Sequence, residues 1–178
     1  MYNLVDPQTS TGTVKELLDA TQRQLGRVPN LYRAMANSPK ALGGYLAFRG
    51  ALQQGALDAA MCERIALLTA QLNNCDYCIA AHTFRSQKIG LPVEDVMSTR
   101  LAKSDSSKIQ IALQFVVELL DGRGNVRPET KHALQQQGWS QDEIGEMVAH
   151  VALNVFSNYF KQVAEPELDF PAVAAHVA

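Results

Sequence analysis

No stretch of this chain sustains the period-two alternation of β-branched residues that a half-buried strand requires, whereas apolar residues recur at helical spacing along most of it. Glycine, proline and capping residues cut that pattern into short pieces. A polar arm, residues 1–12, leads into a helix over Val14–Leu25 that stops at Gly26, and a short piece follows at Leu31–Ala36. Ser38, with Pro39 at the first helical position, starts a helix toward Gln54 that Gly55 ends. Asp58 caps the next, whose Ile65, Leu68 and Leu72 share a face and which runs to about Asn73. Gly90 and Pro92 supply a stop and a restart. The run "SDSSKIQIALQFVVELLDGRG" is a capped apolar helix closed by Gly122 and Gly124, and Pro128 opens a shorter one. In "WSQDEI", Ser140 and Glu143 have capping-box spacing, Trp139 and Ile144 are placed for a hydrophobic staple, and the helix runs to about Val163. These signals predict an all-α helical bundle of about seven to nine helices, a single domain over residues 1–178.

Composition narrows the function classes. A chain of 178 residues can bury roughly 70% of its unfolded surface. A net charge of -2 leaves no basic face for phosphates, so no nucleic-acid partner is expected. No apolar run approaches the ~20 residues of a membrane span, and "MYNLVDPQTSTG" lacks a secretory n-region and h-region, so no membrane partner and a cytoplasmic location are expected. In a reducing compartment a Cys-x-x-Cys pair is more often redox-active or metal-binding than a structural staple.

Two of the three cysteines lie in "LTAQLNNCDYCIAAHTF". On a helix Cys75, Cys78 and His82 stand at i, i+3 and i+7 and share one face. The preceding "NN" puts the thiols near the helix N-terminus, where free N–H groups and the macrodipole favour a thiolate. A thiol of pKa ~8.5 needs ~2.7 kcal/mol to fall by two units. A helix terminus supplies ~1 kcal/mol, so His82 is the natural second contributor. The bland alternative makes both cysteines small core residues. A zinc site is the other; Cys62, His132 or His150 would have to complete it, and their spacing gives no such sign. Glu63, on the otherwise apolar "CERIALLTAQL", is either paired with a base such as Arg64 or Arg49, or aimed back at the thiols as a carboxylate of raised pKa that shuttles protons.

Glu63, eleven intervening residues, Cys75-x-x-Cys78, three more and His82 resemble the core motif of the AhpD-like alkylhydroperoxidases of the carboxymuconolactone decarboxylase-like superfamily. "CERIALLTAQLNNCDYCIAAHTFRSQKIGL" is similar to their two-helix core, and "GRVPNLYRAMANSPKAL" and "LDFP" to flanks in the peroxidase-related branch. The resemblance implies an all-α protomer in a symmetric homo-oligomer, a trimer or hexamer. It implies reduction of an organic hydroperoxide by the cysteine pair, a dithiol reductant such as a lipoyl-bearing protein, and neither metal nor cofactor. Carried over, Cys78 is the peroxidatic thiol, Cys75 resolves it, and Glu63 and His82 form a proton relay. The best-studied members have a histidine just before the second cysteine, where this chain has Tyr77. A phenol of pKa ~10 is no base near neutrality, although it can donate a hydrogen bond.

Two other classes compete: a redox-sensing or dithiol-binding regulatory oligomer, and a zinc-bound structural module. The last helix also carries a polar stripe, His150, Asn154, Asn158 and Lys161. Such a stripe is usually solvated; turned inward, it would face the redox helix or a subunit interface.

Overall fold

The computed structural model describes residues 2–174; Met1 and residues 175–178 lie outside it. Among the described residues there are nine helices and no strand. They are α1 (Gly12–Leu25), α2 (Asn30–Met35), α3 (Pro39–Leu52), α4 (Ala59–Leu72), α5 (Asp76–Lys88), α6 (Val93–Arg100), α7 (Ser107–Asp121), α8 (Pro128–Gln136) and α9 (Gln141–Ala164). None of these helices is long and apolar enough to cross a membrane.

Local chemistry sets most of the boundaries. Ser38, Asp58 and Ser106 accept the N–H groups of Ala41, Met61 and Ile109 at 3.3, 2.7 and 3.4 Å. Ser140 and Glu143 close the full capping box. Each such cap is worth about 1 kcal/mol. Gly26 ends α1 in the left-handed region (φ 72°), and its N–H bonds the Gln22 carbonyl. Gly55 has a different reason. Glu146 of α9 reaches across to accept the Ala56 and Leu57 N–H groups at 2.7 and 3.0 Å, and its carboxylate fills the space a Cβ at Gly55 would need.

Helix α4 is the spine. Ile65, Leu67, Leu68, Thr69 and Ala70 are fully buried. It packs against α5, α6, α7 and α9. Met61, Ile65 and Leu68 join α7, Leu134 of α8, Trp139 and Met147 of α9 in one apolar cluster. Ala70 belongs to the other, built by α1, α2, α3 and α5. Each buried Leu or Ile contributes about 1.5–3 kcal/mol.

The polar stripe of α9 is turned inward, against the usual solvated reading. His150, Asn154 and Asn158 are 7%, 5% and 0% exposed. Asn158 accepts a hydrogen bond from Asn73 at 3.0 Å, and Lys161 pairs with Asp76. The solvent side of α9 instead carries Tyr159 and Val163, at 59% and 69% exposure.

Candidate active site

The turn between α4 and α5 places the cysteines. Asn74 adopts the left-handed conformation (φ 52°), which asparagine tolerates better than most residues. The Cys75 N–H then bonds the Ala70 carbonyl at 2.9 Å and the Asn74 N–H bonds Gln71 at 3.1 Å, the paired bonds of a Schellman turn. The chain therefore reverses within three residues. Cys75 becomes the N-cap of α5, Cys78 sits in its first turn, and α5 packs back along α4. Asn74, in the left-handed region, is what lets the thiols open a helix.

Cys75 and Cys78 are joined as a disulfide, with Cα atoms 5.2 Å apart. They are 0% and 3% exposed. One turn beyond Cys78, the His82 Nδ1 lies 2.7 Å from Glu63 Oε2. Arg64, the neighbouring candidate partner for Glu63, is held by Asp95 at 2.9 Å. Burial pushes the Glu63 carboxyl up, but the His82 contact and the charges of Arg85 and Arg49 outweigh it, and its pKa is lowered. The expected raised pKa is therefore corrected: the His82 contact, and then guanidinium groups from α5 and α3, favour the ionised carboxylate. An ionised carboxylate only accepts, so Nδ1 carries the proton toward Glu63 and Nε2 is left for chemistry.

His82 and Cys78 both line a small cavity of about 20 Å³, room for about one water. On its other side His82 lines a cavity of about 490 Å³ with Glu63, Arg85 and Tyr45. Arg85 stands at i+7 from Cys78 and i+3 from His82, so it was legible on the same helix face, although the motif does not include it. Burial pulls its pKa down, but Tyr32, Glu63 and Tyr45 more than reverse that, so it stays charged.

Tyr77 has a structural post. Its hydroxyl donates to Asp169 Oδ1 at 2.6 Å and accepts from the Leu31 N–H at 3.2 Å. Asp169 also takes the Asn30 N–H at 3.0 Å and pairs with Arg27. Phe170 packs edge-on to Tyr77, and the Arg27 guanidinium lies over the Phe170 ring, 4.5 Å from its centroid. The "GRVPN" and "LDFP" segments thus meet at the entrance of α5 and help to cover the disulfide. Burial and the Asp169 carboxylate raise the Tyr77 pKa well above that of a free phenol, which keeps it protonated.

Cys62 is apart from the redox pair. Its Sγ lies 3.3 Å from His150 Nε2, in the wall of the larger cavity. Burial and the nearby Glu63, Asp58 and Glu146 push the thiol up to about 12. Burial lowers the His150 pKa, so a neutral S–H donates to a neutral imidazole. His132 meets Gln136 on α8. Among the described residues no group of three His, Cys, Asp or Glu side chains is placed to hold a metal ion.

Fold and site together define an all-α protein with a Cys-x-x-Cys pair opening a helix and a Glu–His pair beside it. Residues 39–110 match the carboxymuconolactone decarboxylase family, which spans α3 to α6 and contains all four motif residues. The fold is shared with the "alkylhydroperoxidase AhpD core" peroxidase-related protein of Ralstonia eutropha JMP134, at 21% identity over 94% of this chain and 91% of that one, TM-score 0.82. A peroxidase-related protein of Silicibacter sp. TM1040 gives 19% identity, 93% and 88% coverage and TM-score 0.79. The debrominase Bmp8, bound to 2,3,4-tribromopyrrole, gives 16% identity, 95% and 93% coverage and TM-score 0.79. No curated protein matches the sequence. The helices that carry the site thus match the carboxymuconolactone decarboxylase family, and the fold as a whole is AhpD-like.

Proposed function

We propose that this protein is a thiol-dependent reductase of organic hydroperoxides. The observation that carries the reading is the Glu63–His82 pair at 2.7 Å, one helical turn from a Cys75–Cys78 pair that closes as a disulfide. In the reduced protein the Cys78 thiolate attacks the terminal peroxide oxygen. An S–O bond forms, the O–O bond breaks, and the alkoxide leaves as an alcohol with a proton from His82. Cys75 then attacks the sulfenic sulfur, the S–S bond forms and water leaves. Two electrons and two protons from an external dithiol, such as a lipoyl group, return the pair to thiols by exchange. Glu63, its pKa lowered, holds the imidazole in place through Nδ1 and leaves Nε2 toward the reacting groups.

The test has two arms. The purified protein should turn over cumene hydroperoxide with dihydrolipoamide. Cys75→Ser, given one equivalent of hydroperoxide, should yield a dimedone adduct at Cys78, while Cys78→Ser should yield little at Cys75. The reverse pattern exchanges the two roles. No adduct and no turnover removes the peroxidase reading and leaves the redox-sensing one. Turnover of 2,3,4-tribromopyrrole instead of hydroperoxides would move the same two-electron dithiol chemistry to carbon–bromine bonds.

A further inference from the structure

The cavity of about 490 Å³ beside His82 adjoins a cleft of about 300 Å³ under the C-terminal segment; Arg49, Glu63, Arg85 and Ile89 line both. The cleft adds two further cations, Arg27 and Lys88, and apolar walls from Leu25, Pro29, Phe84 and Phe170. The charges do not balance. Arg27 is matched by Asp169. Glu63 is the one carboxylate in the lining, and it is bonded to His82. Arg49 donates to the neutral Gln24 side chain at 3.2 Å, and Lys88 lies over the Phe84 ring at 4.7 Å from its centroid. Among the described residues, none of Arg49, Arg85 and Lys88 has a carboxylate within ion-pair distance. Three cations therefore face one carboxylate in a space walled by aromatic and aliphatic side chains.

Resting on the proposed peroxidase reading, we infer that the substrate is an amphipathic organic acid: a hydroperoxide whose carbon skeleton also carries a carboxylate. Its apolar body lies between Phe84, Phe170 and Ile89. Its carboxylate meets Arg49 and Lys88, and its peroxide end turns toward His82. The combined space is that of a drug-sized ligand, far more than hydrogen peroxide needs. The guanidinium fork of the partly buried Arg49 suits a carboxylate geometrically, and the exposed Lys88 adds a second positive charge at the mouth. Glu63 repels the carboxylate from the reacting end, which fixes the direction of entry.

The experiment separates ligand class from chemistry. Calorimetry on the oxidised full chain compares decanoate with methyl decanoate, which keeps the chain and removes the charge. Kinetics compare a hydroperoxy fatty acid with its methyl ester. Decanoate should bind at least about tenfold more tightly than the ester, and Arg49→Gln or Lys88→Gln should abolish most of that difference while leaving ester binding within about twofold. The acid's kcat/KM advantage over its ester should collapse in parallel. Equal binding of acid and ester, or an acid preference untouched in both variants, overturns the inference. Should the acid bind selectively while no hydroperoxide, cumene hydroperoxide included, is reduced, the anion site stands and the peroxidase reading falls. Should hydroperoxides be reduced with no preference for the acid, the reverse holds.

Discussion

Replacing Tyr77 by phenylalanine removes one oxygen from the entrance of the redox helix and little else. Two bonds go with it: the donation to the Asp169 carboxylate at 2.6 Å and the acceptance from the Leu31 N–H at 3.2 Å. A hydrogen bond to a charged group is worth about 1.5–3 kcal/mol. Leu31 is the second residue of α2, so its N–H has no acceptor within its own helix, and Leu31 is buried. Leaving such a donor unpaired costs about 1–3 kcal/mol. Asp169 keeps Arg27 and the Asn30 N–H, so the two costs do not add in full, and about 3 kcal/mol is the expected loss. For a domain of this size each kcal/mol moves Tm by about 2–4 °C, so Tyr77→Phe should melt about 6–12 °C lower. Calorimetric melting at neutral pH measures this, and hydroperoxide turnover at 25 °C checks the chemistry. Turnover within about twofold of wild type is expected, because a protonated phenol bonded to Asp169 moves no proton for the thiols. A Tm within about 1 °C of wild type would refute the clasp. A large fall in kcat at unchanged Tm would instead put the phenol in the reaction.

Other consequences can be checked together. Glu118 accepts bonds from Arg127, Thr130 and Gln114, the Arg127 bond being the largest influence, and its pKa is lowered from 4.5 to about 2. A carboxylate with a depressed folded-state pKa stabilises above its unfolded pKa and loses that contribution as pH falls through the folded one. Glu118→Gln should therefore lower the urea midpoint at pH 7, only modestly because Arg127 is exposed and screened. The gap from wild type should close as pH drops from 4.5 toward 2; a constant gap would contradict it. Cys62, with its thiol pushed up to about 12, should react with iodoacetamide at pH 7.5 on the order of a hundredfold more slowly than free cysteine. Labelling of the oxidised protein as fast as glutathione would disprove that. The exposed Tyr159 and Val163 on α9 support a homo-oligomer, as does Phe156 at 41% exposure. Light scattering should give a multiple of 19.5 kDa, reduced by Tyr159→Glu, and a monomeric mass at micromolar concentration would sink the proposal.

What could be read from the sequence was what neighbouring residues decide among themselves. Ser38, Asp58, Ser106 and Ser140 cap the helices because each hydroxyl or carboxylate needs only an N–H three residues away. The meeting of Glu63 with His82 was legible through the motif, since one tight turn separates them. Its electrical sign was not. That is set by burial against His82 first, then Arg85 and Arg49 from α3, and no local pattern announces which cations a fold delivers to a carboxylate. The role of Tyr77 was equally hidden, because its partner Asp169 lies 92 residues away. On α9 the polar stripe looked solvated because periodicity reveals a face but not its direction. Asn73 and Cys62, on or beside α4, are what hold it inward.

The clasp at Asp169 has a consequence for the order in which the molecule assembles. Glu63 and His82 are separated by 19 residues, whereas Arg27 and Asp169 are separated by 142. Closing the longer loop costs about 1.8 kcal/mol more in chain entropy, taking (3/2)RT ln of the ratio. The α4–α5 hairpin, with its Glu–His pair and both sulfurs in place, is favoured to form before the segment that helps to cover it arrives. During folding, then, the dithiol is nearly finished while still open to oxidants and thiols. A pulse of alkylating agent during refolding of the reduced chain should label Cys75 and Cys78 until late, after α4 and α5 have gained amide protection. The redox conditions under which the chain folds therefore meet the pair before the Asp169 clasp closes.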